Sequence, residues 1–185
     1  MDNAMLLGRM PVDAARLQLK QNPHLWDEIR FRTERPDSPH FGASDIWVRA
    51  RDLNDFQGDW NAYVGGCYDS VWFPAVRALP AVKDLCFDLM ARVRGEKLGV
   101  VLITKVPAGG HIRPHTDSGY NAEGFEKYCV CLEADPRQTF SFQEADIVTE
   151  PGDVFWFRNT VEHWVTNDTP RDRISLIISI KSDRG

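Results

Sequence analysis

The chain has 185 residues, 43% of them hydrophobic and 26% charged, a balance that excludes a disordered or fibrous protein and leaves enough chain to bury a core. A net charge of −5 argues against a broad nucleic-acid footprint, and no apolar run approaches the ~18 residues of a membrane helix. Four cysteines without a Cys-x-x-Cys spacing make no disulfide framework, and the segment Met1 to Pro11, with an early acid, is no secretory signal. The expectation is a cytoplasmic, reduced protein that meets neither nucleic acid nor membrane. A single domain is expected over residues 1–185. Residues 1–97 form a helical and mixed support, and residues 98–185 form a β-barrel core.

Pro11 suits a first helical turn, and Val12, Ala15 and Leu19 recur on one face up to Lys20, where Asn22-Pro23 ends the helix. Arg35 to Pro39 reads as a loop. Asp45 to Arg51 reads as a strand whose alternation puts Ile46, Val48 and Ala50 on one face and Trp47, Arg49 and Arg51 on the other. An arginine there suits a substrate carboxylate, or else a solvated strand edge. Residues 52 to 79 are irregular and rich in aromatics.

Pro80 to Arg94 carries the strongest helical period, through Val82, Leu85, Cys86, Leu89, Met90 and Val93, with Gly95 as a cap. Strands follow at Gly99 to Val106, Ile112 to Thr116, Tyr128 to Glu133, Thr139 to Phe142, Val154 to Arg158, Glu162 to Thr166 and Ile174 to Lys181. Such short strands between Gly, Pro, Asn and Asp turns imply an antiparallel sandwich or barrel. Cys129 and Cys131, two apart in an apolar run, read as small core residues, and Trp156 and Trp164 as packing residues. The Asp117-to-Asn121 loop is either a lid or a plain connection. His111 reads as structural or surface, and His24 and His40 carry no signal.

His115 and Asp117, two apart, share a face of a strand or of its end, and His163 follows from a later strand. Taken alone, a His-x-Asp pair is more often a surface pair than a ligand pair. The set with Arg173 is more specific. Two imidazoles and one carboxylate can occupy one face of an octahedral metal and leave the other open, a donor set that suits Fe(II) and also Mn, Co or Zn. Alternation puts Arg173 and Ser175 on one face, with Ile174, Leu176, Ile178 and Ile180 on the other. An arginine inside a small barrel needs an anionic partner.

Residues 104 to 181 resemble the aspartyl/asparaginyl β-hydroxylase family of Fe(II)/2-oxoglutarate-dependent dioxygenases. The resemblance lies in Val106-Pro107-Ala108-Gly109-Gly110-His111-Ile112-Arg113-Pro114-His115, in Pro151 to Phe157, in Asn159 to Val165 and in Arg173-Ile174-Ser175-Leu176. It implies a mainly β fold with N-terminal helices, whose core is a double-stranded β-helix, the jelly-roll or cupin-like barrel. It implies Fe(II), 2-oxoglutarate as co-substrate and O2. His115 and His163 match the iron-binding histidines, and Arg173 matches the residue that pairs with the distal carboxylate of 2-oxoglutarate. Thr104 falls where a hydroxyl contacts that co-substrate, and Lys127 near a basic residue that helps hold it. Ser175 shares the Arg173 face. Cys129 stands where the family often has a histidine. Asp117 completes a triad that some members lack, and argues for hydroxylation over halogenation.

The implied substrate is an amino acid or an Asp, Asn or Pro residue of a peptide or protein. Three alternatives stand beside it: a cupin-type dioxygenase or isomerase without 2-oxoglutarate, a non-catalytic barrel that only binds, and a nucleic-acid demethylase, which the acidic balance disfavours.

Overall fold

Two antiparallel sheets face each other in this computed structural model, which describes residues 3–182. The larger runs β1 (Ala4–Arg9), β9 (Asp153–Phe157), β6 (Glu126–Glu133), β11 (Arg173–Ser182), β4 (Gly95–Val106), β2 (Ser44–Ala50) and β3 (Val71–Trp72). The smaller runs β5 (His111–His115), β10 (His163–Thr166), β7 (Thr139–Phe142) and β8 (Ala145–Val148). This is a double-stranded β-helix core.

The period of two along β11 explains how that sheet serves two cores. Leu176, Ile178 and Ile180 pack toward α1 (Asp13–Gln21) and α3 (Pro80–Val93), together with Leu85, Cys86 and Leu89 of α3. Ile177 turns to the other face, where Phe140, Phe142, Phe155, Phe157 and Val165 fill the space between the sheets. A third cluster, Trp47, Ala50, Tyr63, Phe73 and Leu102, lies on the same side of the large sheet but beyond the small one. Fully burying one such side chain is worth about 1.5–3 kcal/mol, so the three clusters hold the sheets in place.

Several local expectations are corrected. β1 was not foreseen: it pairs along β9, leaves Met5 and Leu6 exposed, and is interrupted at Gly8, so its pattern is too broken to read. β8 is too short to signal itself. The cap of α3 is Arg94, at φ +55°, and not Gly95. Gly95 instead opens β4 opposite Ser182, where a Cβ would collide with Ile180, so its missing side chain permits close strand approach.

The alternation along β2 fails part-way. Trp47 pairs with Leu102 and Arg49 with Val101, so one extra residue is accommodated between them as a β-bulge. Arg49 therefore turns out over Trp72, 5.1 Å from its ring, while Ala50 joins Trp47 on the opposite side. Within residues 52–79, α2 (Trp60–Gly65) is capped by Asp59, whose carboxylate accepts from the N–H groups of Asn61 and Ala62. A short helix, α4 (Tyr120–Gly124), follows β5.

Candidate metal centre

The last residue of β5, His115, pairs across the small sheet with the first residue of β10, His163. Asp117 lies two residues past β5, where its backbone N–H donates to the Asn159 carbonyl at 2.9 Å. Strand pairing and this loop anchor bring one ligand atom from each residue within 4.8 Å of the others. His115 Nε2 and Asp117 Oδ1 are 3.6 Å apart.

The groups around both imidazoles fit ligation. His115 Nδ1 stands 2.8 Å from the Arg113 carbonyl, and His163 Nδ1 stands 2.8 Å from the Val161 carbonyl. A carbonyl can only accept, so each ring donates from Nδ1 and keeps a lone pair on Nε2. Phe140 stacks on His163 with ring centroids 5.4 Å apart and holds its plane. Burial pushes the His115 pKa down and His163 adds to this, with Asp117 opposing, so the neutral, ligating form of His115 is favoured. For Asp117, burial acts to raise the pKa. Lys127, His163 and His115 outweigh it, and the carboxyl titrates below its usual range. Two imidazoles and an ionised carboxylate make a donor set suited to Fe(II) and similar divalent ions.

A narrow cavity leads from these ligands between the sheets to Arg173. This guanidinium is 1% exposed, and only its Nη2 finds a partner, the Thr149 hydroxyl at 3.2 Å. Its Nε and Nη1 are buried without a hydrogen bond among the described residues. A buried cation with unmet donors calls for an anion at that spot.

Ser175 lines the same cavity, as the alternation along β11 implied. Thr104 lines it too, yet its hydroxyl donates to Asp45 Oδ1 at 2.8 Å and accepts from Arg32 Nη2 at 3.2 Å. Lys127 sits at the metal end, its Nζ 4.0 Å from Asp117 Oδ2. Burial pushes the Lys127 pKa down, and Asp117 partly restores it.

A second, wider chamber opens on the other side of His115 and Asp117. Trp47 and Arg51 line it; Arg49 does not. Arg32 and His40 line both cavities, and no local pattern marks either of them. The His40 ring lies 4.8 Å from that of His115, and burial, with Arg32 and His115 adding, pushes its pKa well down. Both residues sit in irregular chain, where no period marks a facing direction. His111, by contrast, is exposed, near Asp168.

The family model described as "Aspartyl/Asparaginyl beta-hydroxylase" matches residues 24–183. The chain belongs to this family. Membership in the β-hydroxylase family, with a His-Asp-His cluster in place, makes it an oxygenase-type protein. Comparison with curated proteins yields no match. Among solved structures, an oxidoreductase of the 2OG-Fe(II) oxygenase family from Burkholderia pseudomallei is 11% identical, with a TM-score of 0.60, over 99% of this chain and 89% of that one. The viral collagen prolyl hydroxylase of Paramecium Bursaria Chlorella virus-1, solved as a 2OG complex, is 10% identical with a TM-score of 0.58, over 98% and 97%. A Pseudomonas putida prolyl-4-hydroxylase is 15% identical with a TM-score of 0.54, over 99% and 94%. At these identities the likeness is one of fold.

Proposed function

We propose that this β-hydroxylase family member is an Fe(II)- and 2-oxoglutarate-dependent hydroxylase. It acts on an unactivated C–H bond of an amino acid, or of an Asp, Asn or Pro residue in a peptide. The observation that carries the reading is Arg173: a buried guanidinium with two unmet donor nitrogens at the far end of a cavity whose near end is the His115–Asp117–His163 cluster.

His115, Asp117 and His163 would hold Fe(II), with both imidazoles oriented by backbone carbonyls. Arg173 would take the distal carboxylate of 2-oxoglutarate in a fork that a planar guanidinium matches, and Ser175 lies on the same wall. With Val106, Ile112, Phe140, Phe157 and Val165 lining the rest, the cavity excludes water along the co-substrate's length. Iron, 2-oxoglutarate and O2 together supply the oxidant, with succinate and CO2 as by-products. Lys127, beside Asp117, keeps that carboxylate ionised and oriented. A cupin-type enzyme that uses no 2-oxoglutarate has no need of the Arg173 site.

The test is anaerobic reconstitution with Fe(II), titration with 2-oxoglutarate, then admission of O2 with succinate as the readout. Saturable 2-oxoglutarate binding and succinate release are expected. A metal-loaded protein that binds no 2-oxoglutarate overturns the reading.

A further inference from the structure

We propose that Arg113, an exposed residue outside the ligand set, is a positioning residue of the metal centre: it fastens residues 32–41 against β5 so that the His40 ring braces the His115 imidazole. This rests on the metal-centre part of the hydroxylase reading above.

The two imidazoles of the cluster are held differently. His163 lies on β10, which has a strand on either side, β5 and β7. Its ring stacks on Phe140, a side chain of the core between the sheets. His115 ends β5, the edge strand of the small sheet. The one strand beside it, β10, pairs His163 with His115 and Val165 with Ile112, so Arg113 and Pro114 together oppose Trp164. That is a β-bulge directly before the ligand, and Pro114 has no N–H to give. A ligand at the end of a bulged edge strand needs support from elsewhere.

Residues 32–41 supply that support in place of a strand. The backbone N–H of Arg113 donates to the Pro39 carbonyl at 3.0 Å. Its guanidinium Nη2 donates to the Pro36 carbonyl at 2.6 Å and also to the Ser38 carbonyl. Its own carbonyl accepts from His115 Nδ1. One residue thus meets three carbonyls of the segment with its donors and the metal ligand with its acceptor.

The segment is closed on itself as well. The buried Ser38 hydroxyl donates to the Arg32 carbonyl and accepts from the His40 N–H at 3.2 Å. The Gly42 N–H donates to the Thr33 carbonyl at 3.2 Å. Arg32 is tied to Asp45, which is fully buried. Held at its ends and in its middle, the segment presents His40 edge to face against His115, with ring centroids 4.8 Å apart and planes at 73°. His40 is there what Phe140 is to His163, an aromatic ring that limits how far the ligand can turn.

The sign of the effect separates this role from plain electrostatics. By charge alone, an arginine beside the site opposes a divalent cation, so its removal would strengthen metal binding. A positioning role predicts the reverse, because losing the groups that orient metal ligands costs about 10–100-fold in affinity.

Titration of the metal-free protein with Co(II), an air-stable stand-in for Fe(II), followed by the visible absorption of the bound ion, tests this. Arg113→Gln should raise the Co(II) dissociation constant about tenfold or more and alter the absorption of the saturated protein. Arg113→Lys, whose ammonium can still donate to carbonyls, should recover most of the loss. His40→Ala should weaken Co(II) about as much as Arg113→Gln, and His40→Phe, which keeps a ring against His115, should not. In the double variant Arg113→Gln, His40→Ala the losses should not add, because both break one support. Urea unfolding of each metal-free variant reports the fold separately. If the Arg113 variants do not fold, the two His40 variants decide. An Arg113→Gln protein that binds Co(II) as tightly as the unmodified chain, or more tightly, overturns the inference, even with a lowered urea midpoint. Additive losses overturn it too. If the unmodified protein takes up no Co(II), the metal-centre reading and the inference both fail. If it takes up Co(II) but no 2-oxoglutarate, the hydroxylase reading alone fails.

Discussion

The cavity that ends at Arg173 is walled by side chains from β4, β5, β6, β7, β9, β10 and β11, whereas the chamber on the other side of His115 takes most of its lining from loops, α2 and α4. The first is narrow, largely apolar and closed by one charge. The second is lined with aromatic and polar groups. Each architecture suits one of the two guests of the proposed hydroxylase. A co-substrate of fixed chemistry is met by rigid strands, and a substrate of particular chemistry by segments that tolerate change without disturbing the sheets.

The comparison is most exposed at the shared boundary. His115→Ala or Asp117→Ala should lower iron content and 2-oxoglutarate-dependent succinate release by at least ~100-fold, since changes even to the groups that only orient metal ligands cost about 10–100-fold. Full activity of either variant in iron-supplemented assay would mean that the two cavities do not meet at a metal. Arg173→Ala should raise the 2-oxoglutarate dissociation constant about 100-fold, the loss of one member of a buried charge pair, while iron content holds. A comparable loss of iron would show Arg173 to be structural.

Asp45→Asn probes the partition between the cavities. Asp45 is fully buried and pairs with Arg32, which lines both. Stripping Arg32 of its counter-charge should destabilise the fold by about 3 kcal/mol in urea unfolding. A much smaller change would mean that water supports Arg32 as well as Asp45 does. Gly119→Ala should be milder, about 1 kcal/mol, because a side chain there opposes both φ +89° and the Val64 carbonyl. Its thermal unfolding midpoint should fall by a few degrees. An unshifted midpoint would show that α2 and α4 move apart freely.

The same contrast explains what could be read from the sequence. Strand alternation assigned Arg173 and Ser175 to one face and Leu176, Ile178 and Ile180 to the other, and the structure agrees. His115 and His163 were legible because a ligand pair across two strands needs only the strands. Asp117 lies past β5, and its place comes from the Asn159 carbonyl, which no spacing rule encodes. Arg32, His40 and Asn121 sit in irregular chain or a five-residue helix, where direction is set by tertiary packing alone. Thr104 lines the cavity that ends at Arg173, but its bond to Asp45 needed the β2–β4 register to be seen. Arg49 was assigned to the wrong side by one unforeseen residue.

That residue does more than bend β2. Were the same residues paired in regular alternation with no bulge, Arg49 would face inward beside Trp47 and Ala50 would turn away. The chamber would then contain a long cationic side chain where it now has a methyl group. The space beside Trp47 thus depends on the bulge, which sends Arg49 out over Trp72 and returns Ala50 to the side of Trp47.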